Sequence, residues 1–234
     1  MGLSSNVIWH QTDYQGLKGI IEKMAFQTSY SLETINDVNV AFPMISFCDI
    51  PLSDMREYLT QNESDKLTGK YGKYTIGMKR GWGNKKGLSP VWYRDRQAYT
   101  LKGLMTQMKK LIKKRNSYML DEEERIIWQT MAHTKNVQGK LLKYGFSSYR
   151  FADEKELRYV PNLIDLRTAS IKPFIGCNDY KDLKKQTRNI GMQSLLLSFS
   201  IEDIAYILMS NKKEKNRISK LLNQKDSHIV ISVP

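Results

Sequence analysis

The sequence predicts a single α+β domain in which a mixed sheet of short strands carries a basic helical insertion. Its 234 residues, 41% of them hydrophobic and 26% charged, are enough to bury the core of one large domain. Apolar stretches of strand length recur from "NVIWHQT" near the N-terminus to "SHIVISV" near the C-terminus. A helical spacing of apolar residues dominates from about 97 to 142. We therefore expect one domain, 1–234, with an insertion at about 97–142.

Strands and helices alternate in the first part of the chain. "NVIWHQT" is a predicted strand, and "DYQGLKGIIEKM" is a predicted helix with Asp13 as its N-cap. "FPMISFCDI" is a strongly apolar strand that ends at Pro51, and "PLSDMREYLTQ" begins as helices often do, with proline in the first turn. "KYTIGMK" and "PVWYR" are two further strands, which the Gly- and Lys-rich "RGWGNKKGLS" separates.

The insertion begins with an amphipathic basic helix. "TLKGLMTQMKKLIKKR" places its apolar residues at helical spacing and most of its lysines on other faces. Core packing is the commoner explanation of such a pattern, and a nucleic-acid or membrane surface is the alternative. "DEEERIIWQTMAHTK" follows as a second helix whose acidic first turn suits the helix dipole, and His133 on it has no evident ligand partner. After the insertion we expect a strand at "SLLLSFS", a helix at "NKKEKNRISKLLNQK" and a final strand that returns to the sheet.

Positive charge is concentrated in one segment. Between Asp65 and Tyr118 there are fifteen Lys or Arg residues and only two acidic ones, an excess that equals the net charge of the whole chain, +13. Such a segment attracts polyanions, so RNA, DNA or an acidic protein would each suit it. A solvated basic face is the alternative. The candidate nucleic-acid-binding residues are Lys102, Lys109, Lys110, Lys113, Lys114 and Arg115.

Other features indicate the cellular compartment and the kinds of site that the sequence does not suggest. The apolar runs are far shorter than the roughly 20 residues that cross a bilayer, and the N-terminus lacks the pattern of a signal peptide. Two cysteines cannot form a disulfide framework, and with three scattered histidines they do not suggest a metal site. We expect a cytoplasmic protein with no bound metal and no membrane contact.

The stretch "FADEKELRYVP" gathers carboxylates outside the basic segment. On a strand of period two, Glu154, Glu156 and Arg158 share one face, while Leu157 and Tyr159 on the other face pack into the core. The two glutamates would then lie about 7 Å apart. Like charges at that spacing raise each other's proton affinity and Arg158 opposes this, so one glutamate could serve as a general base. A structural salt-bridge ladder of Glu and Arg is the alternative.

Three short motifs together resemble the sequential pattern of the ADP-ribosyltransferase superfamily: "H-x-T" on the first strand, "YGKYTIG" on a middle strand and "E-x-E" on a late strand. The resemblance implies a mostly antiparallel ADP-ribosyltransferase-like sheet and NAD as cofactor. It also implies catalytic roles for Glu156, which would engage the nicotinamide ribose, and for Glu154 as its partner. The implied NAD-binding residues are His10, Thr12, Tyr71 and Tyr74.

Longer blocks carry a second resemblance. "HQTDYQGLKGIIE", "FPMISFCDIPLSDMREYL", "YGKYTIGMKRGWGNKKGLSPVWY" and "EKELRYVP" occur in this order over roughly residues 7–95 and 143–161. They resemble the bacterial abortive-infection family AbiGi, described as the antitoxin of a two-gene phage-defence system. The resemblance implies phage defence and a partner toxin.

Two hypotheses of function follow. In the first, the protein is a non-enzymatic antitoxin or regulator that binds nucleic acid or a toxin through its basic surface. In the second, it is an NAD-dependent ADP-ribosyltransferase-like enzyme that uses the E-x-E strand. A nuclease is less well supported, because no carboxylate cluster spread over separate strands suggests two-metal chemistry.

Overall fold

The computed structural model of the protein describes residues 6–55, 73–114, 119–141, 146–185, 192–209, 212–222 and 230–232. The helices are α1 (Tyr14–Lys23), α2 (Arg80–Lys85), α3 (Tyr99–Lys113), α4 (Glu122–Ala132), α5 (Leu163–Thr168), α6 (Cys177–Lys185) and α7 (Lys212–Leu221). The strands are β1 (Val7–Thr12), β2 (Ala25–Gln27), β3 (Ser29–Ile35), β4 (Val38–Cys48), β5 (Tyr74–Lys79), β6 (Ser89–Pro90), β7 (Trp92–Arg94), β8 (Thr134–Asn136), β9 (Gln138–Leu141), β10 (Phe146–Arg150), β11 (Glu156–Tyr159), β12 (Ile175–Gly176), β13 (Leu196–Ser198), β14 (Ile204–Met209) and β15 (Val230–Ser232).

A mostly antiparallel sheet organises the described part of the chain. It has nine strands, of which seven follow the order β15-β14-β5-β1-β4-β11-β6, while β3 and β12 pair with β4 away from this path. Within it β14 and β15 are parallel, so the C-terminal strand returns to the sheet as expected. A short parallel pair, β7 with β8, lies outside it. The predicted α+β class and mostly antiparallel sheet are confirmed.

Strand β4 is central because two groups of strands share it. Its residues 45–48 pair with β11, and its residue Cys48 also pairs with β1. Its residues 38–44 pair with β3, and residues 40 and 41 also pair with β12. The pairing partners therefore change between Met44 and Ile45, and this change lies at the candidate site.

Helices pack against the sheet through separate hydrophobic clusters. One cluster joins α1, through Leu17, Ile20 and Ile21, to β5, β14 and α7. A second cluster joins β3 and β4 to the apolar faces of α3 and α4. Burial of apolar area on this scale is the main stabilising contribution to the fold. The apolar face of α3 thus belongs to the core, as the commoner explanation of its sequence predicts.

Local signals placed the starts of α1 and α4 correctly. Asp13 caps α1 by accepting a hydrogen bond from the Gly16 backbone N–H at 2.7 Å, and the helix ends at Met24 in the left-handed conformation. Helix α4 begins with a capping box, in which Asp121 and Glu124 each accept a backbone N–H from the other.

The structure corrects several predicted boundaries. The helical insertion ends at Ala132, and β8 and β9 follow within the range 97–142 predicted to be helical. The first six residues of "RGWGNKKGLS" form the short helix α2, and "SYSLETI", unassigned from sequence, forms β3. Residues 52–55 are helical as expected, while the rest of "PLSDMREYLTQ" lies outside the described residues. No helix in the described part of the chain is long and apolar enough to cross a membrane.

Candidate functional site

A cavity of about 920 Å³ opens beside the change of strand pairing in β4. Its wall combines residues 9–11 of β1, most of β3 and residues 44–48 of β4. Parts of β8, β9 and β10 and the turn before β11 complete it. This volume is within the range of small-molecule sites. The cavity is the candidate functional site because three predicted site residues line it, namely His10, Glu154 and Glu156.

The carboxylate of Glu156 is saturated with donors. Its Oε1 accepts from Ser46 Oγ at 2.6 Å and from Arg158 Nε at 2.7 Å. Its Oε2 accepts from Lys135 Nζ at 2.8 Å and from Arg158 Nη2 at 3.2 Å. A carboxylate offers about four acceptor positions, so the observed hydrogen bonds occupy them all. Glu156 is only 7% exposed, and its backbone N–H donates to the Tyr93 hydroxyl.

Arg158 is the centre of this buried network. Its side chain is completely buried and, besides Glu156, binds Glu33 Oε1 at 2.7 Å through Nη2 and the Ala132 carbonyl at 2.7 Å through Nη1. Lys135 connects the network to the turn before β11, because its Nζ lies 3.0 Å from Glu154 Oε2. Buried charges are tolerated when they are paired and hydrogen-bonded, as they are here.

The network fixes the charge states of its members. Burial alone would raise the pKa of Glu156, but the charges and hydrogen bonds of Arg158 and Lys135 outweigh it and hold that pKa well below the usual range. Burial raises the pKa of Glu33, although the charges of Arg158 and Lys135 oppose this. Burial, with a smaller contribution from the neighbouring carboxylates, also raises the pKa of Tyr93 to about 12. Glu156 is therefore a stable anion and a weak proton acceptor.

The position of Glu154 corrects the predicted strand face. Strand β11 begins at Glu156, and Glu154 ends a 3-10 turn, Phe151–Glu154, that precedes it. Lys155 between them is in the left-handed region, with φ of 43°, so the strand alternation does not extend to Glu154. The two glutamates still meet, because Lys135 binds both carboxylates. The predicted face is correct for Glu156 and Arg158, and Leu157 on the opposite face packs into the core.

His10 is held deep in the cavity wall. Its Nδ1 lies 2.9 Å from the Ser46 carbonyl oxygen, and its ring lies edge-on to Phe26 with centroids 5.1 Å apart. Burial lowers the pKa of His10, and the hydrogen bond with Ser46 opposes this only in part. The ring is therefore neutral near pH 7.

The other predicted NAD-binding residues lie elsewhere. Thr12 and Tyr74 face each other across β1 and β5 and are not among the residues that line the cavity. The Tyr74 hydroxyl instead hydrogen-bonds Glu214 on α7. Tyr71 lies outside the described residues. The cavity volume suits a cofactor such as NAD. Of the three predicted NAD-binding residues that the structure describes, however, His10 lines the cavity and the other two do not.

The basic residues of α3 divide into paired and unpaired lysines. Lys109 forms an ion pair with Asp37, and Lys114 forms one with Glu124. Within the described ranges no ion pair involves the remaining candidates, the exposed residues Lys102, Lys110 and Lys113. Arg115 lies outside the described residues. His133 ends α4 with its Nδ1 2.9 Å from the Gln129 carbonyl oxygen, which agrees with its predicted structural role.

Most residues of the cavity wall were not predicted from the sequence, among them Glu33, Ser46, Lys135 and Asn136. Glu33 gave one local signal, as a carboxylate that directly follows the apolar Leu32 in "SLETI". The others sit in stretches without distinctive spacing. No group of three metal-binding side chains was found among the described residues.

Comparisons with known proteins agree with the longer sequence motifs. A family profile described as "Putative abortive phage resistance protein AbiGi, antitoxin" matches residues 19–210. The protein "Abortive phage resistance protein AbiGi" of Lactococcus lactis subsp. cremoris is 24% identical over 229 residues, covering 86% of this chain and 89% of the relative. No solved structure matches. Because the family profile covers most of the chain, the protein belongs to the AbiGi family of abortive phage resistance proteins.

Proposed function

We propose that this phage-resistance protein acts as an antitoxin that binds its partner, and that the exposed lysines of α3 form the binding surface. The observation that carries the proposal is the saturated carboxylate of Glu156. All four of its acceptor positions are occupied by Ser46, Lys135 and Arg158, and its pKa is held low. A residue in this state stabilises the fold and leaves little capacity for acid-base work.

The lysines of α3 fit a partner of opposite charge. Lys102, Lys109 and Lys113 lie at i, i+7 and i+11, so they form one stripe along the exposed side of the helix. The opposite side of the helix is fixed in the core through Leu101, Met105, Met108 and Leu111. Lys109 is paired with Asp37, while Lys102 and Lys113 on either side of it have no ion pair among the described residues. A rigid helix that presents such lysines favours rapid association with an acidic surface. The family description as an antitoxin favours an acidic toxin protein.

Charge reversal tests this proposal. The test compares two triple variants. The first changes Lys102, Lys110 and Lys113 of α3 to Glu. The control changes Lys181, Lys184 and Lys185 of the exposed α6 to Glu, which alters the net charge equally. We expect the α3 variant to lose phage protection and capture of the partner toxin, and the α6 variant to keep both. Full protection by the α3 variant contradicts the proposal. Loss of nucleic acid from the purified α3 variant, with the toxin still bound, shows that the partner is nucleic acid.

An NAD-dependent ADP-ribosyltransferase-like activity is the second candidate function. It is favoured by one observation, that His10, Glu154 and Glu156 line the same cavity. NAD would supply the transferable ADP-ribose, His10 and the cavity wall would orient it, and Glu156 would be the acceptor facing the ribose. Lys135 or Ser46 would have to release one acceptor position of Glu156 when the cofactor binds.

Incubation with labelled NAD and with cellular RNA, DNA and protein tests this activity. We expect label transfer or nicotinamide release by the unaltered protein and none by Glu156→Gln. Glu33→Gln is the matched control, since it makes the same substitution at another carboxyl group of the same network. Equal activity in the two variants excludes a specific role of Glu156, and no reaction by the unaltered protein excludes the activity.

A further inference from the structure

One carboxylate oxygen in the cavity wall has no partner among the described residues. Glu33 on β3 is 9% exposed and lines the cavity, and its Oε1 accepts from Arg158 Nη2 at 2.7 Å. Within the described part of the chain its Oε2 accepts no hydrogen bond. Nor is Oε2 one of the unpartnered side-chain atoms that this part of the protein encloses completely, so it is reached from the cavity. A largely buried carboxylate is costly unless its oxygens are bound, so this oxygen is suited to a donor that a ligand brings.

The negative charge of Glu33 is balanced only in part. Its ion pair within the described residues is with Arg158, which also binds both carboxylate oxygens of Glu156. Glu156 has a second cation, because Lys135 Nζ lies 2.8 Å from its Oε2. Glu33 therefore shares its cation, and burial raises its pKa in spite of that cation. A positively charged ligand group at Oε2 would complete the pairing of this carboxylate.

The same wall already accommodates an ammonium group. Lys135 Nζ lies 2.8 Å from Glu156 Oε2 and 3.0 Å from Glu154 Oε2. A guanidinium group pairs best with both oxygens of one carboxylate, but Arg158 occupies the first oxygen of Glu33. An ammonium group is a compact charge with three donors, so it can bind a single oxygen. The free oxygen of Glu33 therefore favours an ammonium ligand over a guanidinium ligand.

Two serine hydroxyls lie in a row with Glu33 along β3. Ser29, Ser31 and Glu33 are two residues apart, so their side chains share one face of the strand at a spacing of about 7 Å. Both serines are partly exposed and line the cavity. Neither hydroxyl has a hydrogen-bond partner among the described residues. The row therefore offers a carboxylate oxygen and then free hydroxyl acceptors, at a spacing that an extended four-carbon diamine spans.

We propose that this cavity binds a linear alkyl polyamine, with a terminal ammonium group donating to Glu33 Oε2 and the next amino group donating to the Ser31 hydroxyl. The hydrocarbon chain runs along β3 between these two contacts. Two further cations of the lining, Arg96 and Lys140, are exposed, so solvent and salt screen their repulsion of the ligand. The inference concerns binding alone, and it depends neither on the α3 surface nor on chemistry at NAD.

Calorimetric titration of the full chain with putrescine, the four-carbon diamine, tests the site. We expect putrescine to bind at least about tenfold more tightly than the uncharged diol of the same chain length, which cannot form the charged contact with Glu33. It should also bind about threefold more tightly than butylamine, which lacks the second amino group. Absence of putrescine binding at millimolar concentration, or equal affinity for the diamine and the diol, overturns the proposal. This comparison needs no variant, so it is unaffected if a change at Glu33 prevents folding.

Two amide variants test the charged contact. Glu33→Gln should weaken putrescine binding by about tenfold or more, because a charge-assisted contact is lost. Asp37→Asn is the control, since it changes an exposed carboxylate between β3 and β4 that binds Lys109 and does not line the cavity. It should leave putrescine affinity within about twofold. Equal weakening in both variants shows a general charge effect and overturns the assignment of Glu33.

The variant Ser31→Ala tests the course of the ligand along β3. It should weaken putrescine binding by about threefold and leave butylamine binding unchanged, because only the diamine reaches the hydroxyl. Loss of affinity for both amines, or for neither, overturns the contact with Ser31.

Discussion

Arg158 Nε lies 2.7 Å from Glu156 Oε1 on the same strand, and both side chains are buried. Residues two apart on a strand share a face, so this ion pair is set by local geometry. Its burial is set by the strands and helices around it, which also bring Glu33 and the Ala132 carbonyl to Arg158. The pair is therefore the charged centre of the buried network, and Glu156 is its member that lines the cavity.

Removing Arg158 should destabilise the protein strongly. Arg158→Met leaves Glu33 and Glu156 buried with one fewer cation, and the expected loss is about 3–5 kcal/mol of unfolding free energy. Arg150→Met is the control, because its ion pair with Asp153 is exposed and its loss should cost less than about 1 kcal/mol. Urea denaturation followed by circular dichroism measures both. Similar stability of the two variants contradicts the central role of Arg158.

The stability of the protein should depend on Glu156 in acid. The folded-state pKa of Glu156 lies below its unfolded value of about 4.3, so the unfolded chain binds more protons between the two. Its contribution is complete above about pH 5 and is lost as the pH falls below that unfolded value. Glu33 has the opposite sign, because burial raises its folded-state pKa, and its contribution is lost as the pH rises.

Unfolding free energies measured from pH 3 to pH 6 check these signs. We expect Glu156→Gln to flatten the decline in stability with acid, and Glu33→Gln to steepen it. The opposite order of slopes would mean that Glu33, rather than Glu156, is the stable anion of the network.

His10 should remain neutral at physiological pH. Its folded-state pKa is lowered by burial, so it should titrate below the usual value of about 6.5. The stabilising contribution of the neutral ring is complete above about pH 6.5 and is lost as the pH falls toward the folded pKa. NMR titration of the ring protons, assigned with His10→Gln, measures this. A pKa at or above 6.5 shows that the ring is solvated.

Two glycines should respond oppositely to alanine. A Cβ on Gly77 of β5 would lie 2.5 Å from the Trp9 ring and 2.7 Å from Val7, so Gly77→Ala should cost roughly 1–3 kcal/mol by overpacking. A Cβ on Gly19 of α1 meets nothing within 4 Å, so Gly19→Ala should stabilise the protein by about 0.5–1 kcal/mol. Thermal unfolding compares them. A stable Gly77→Ala protein means that Trp9 has room to shift.

Sequence patterns predicted the elements whose determinants are local. The N-cap Asp13, the acidic first turn of α4 and the apolar spacing of α3 each act within a few residues, and each is found as predicted. The face shared by Glu156 and Arg158 belongs to the same class. Family membership was predicted from long ordered blocks, and the family profile confirms it.

The tertiary structure determined which partners Glu156 and Arg158 bind. Glu156 receives its hydrogen bonds from Ser46 and Lys135, which are 110 and 21 residues away in the chain, and Arg158 binds Glu33 at a separation of 125 residues. The pairing of β4 with β11 and β3 brings Ser46 and Glu33 to the site, and Lys135 comes from β8, which pairs with β7. No local spacing encodes these pairings. The sequence alone determined that two carboxylates lie close together at the start of β11. Only the fold determined that this pair is buried and that Lys135 joins Arg158 in neutralising the carboxylates, because burial demands partners and long-range contacts supply them.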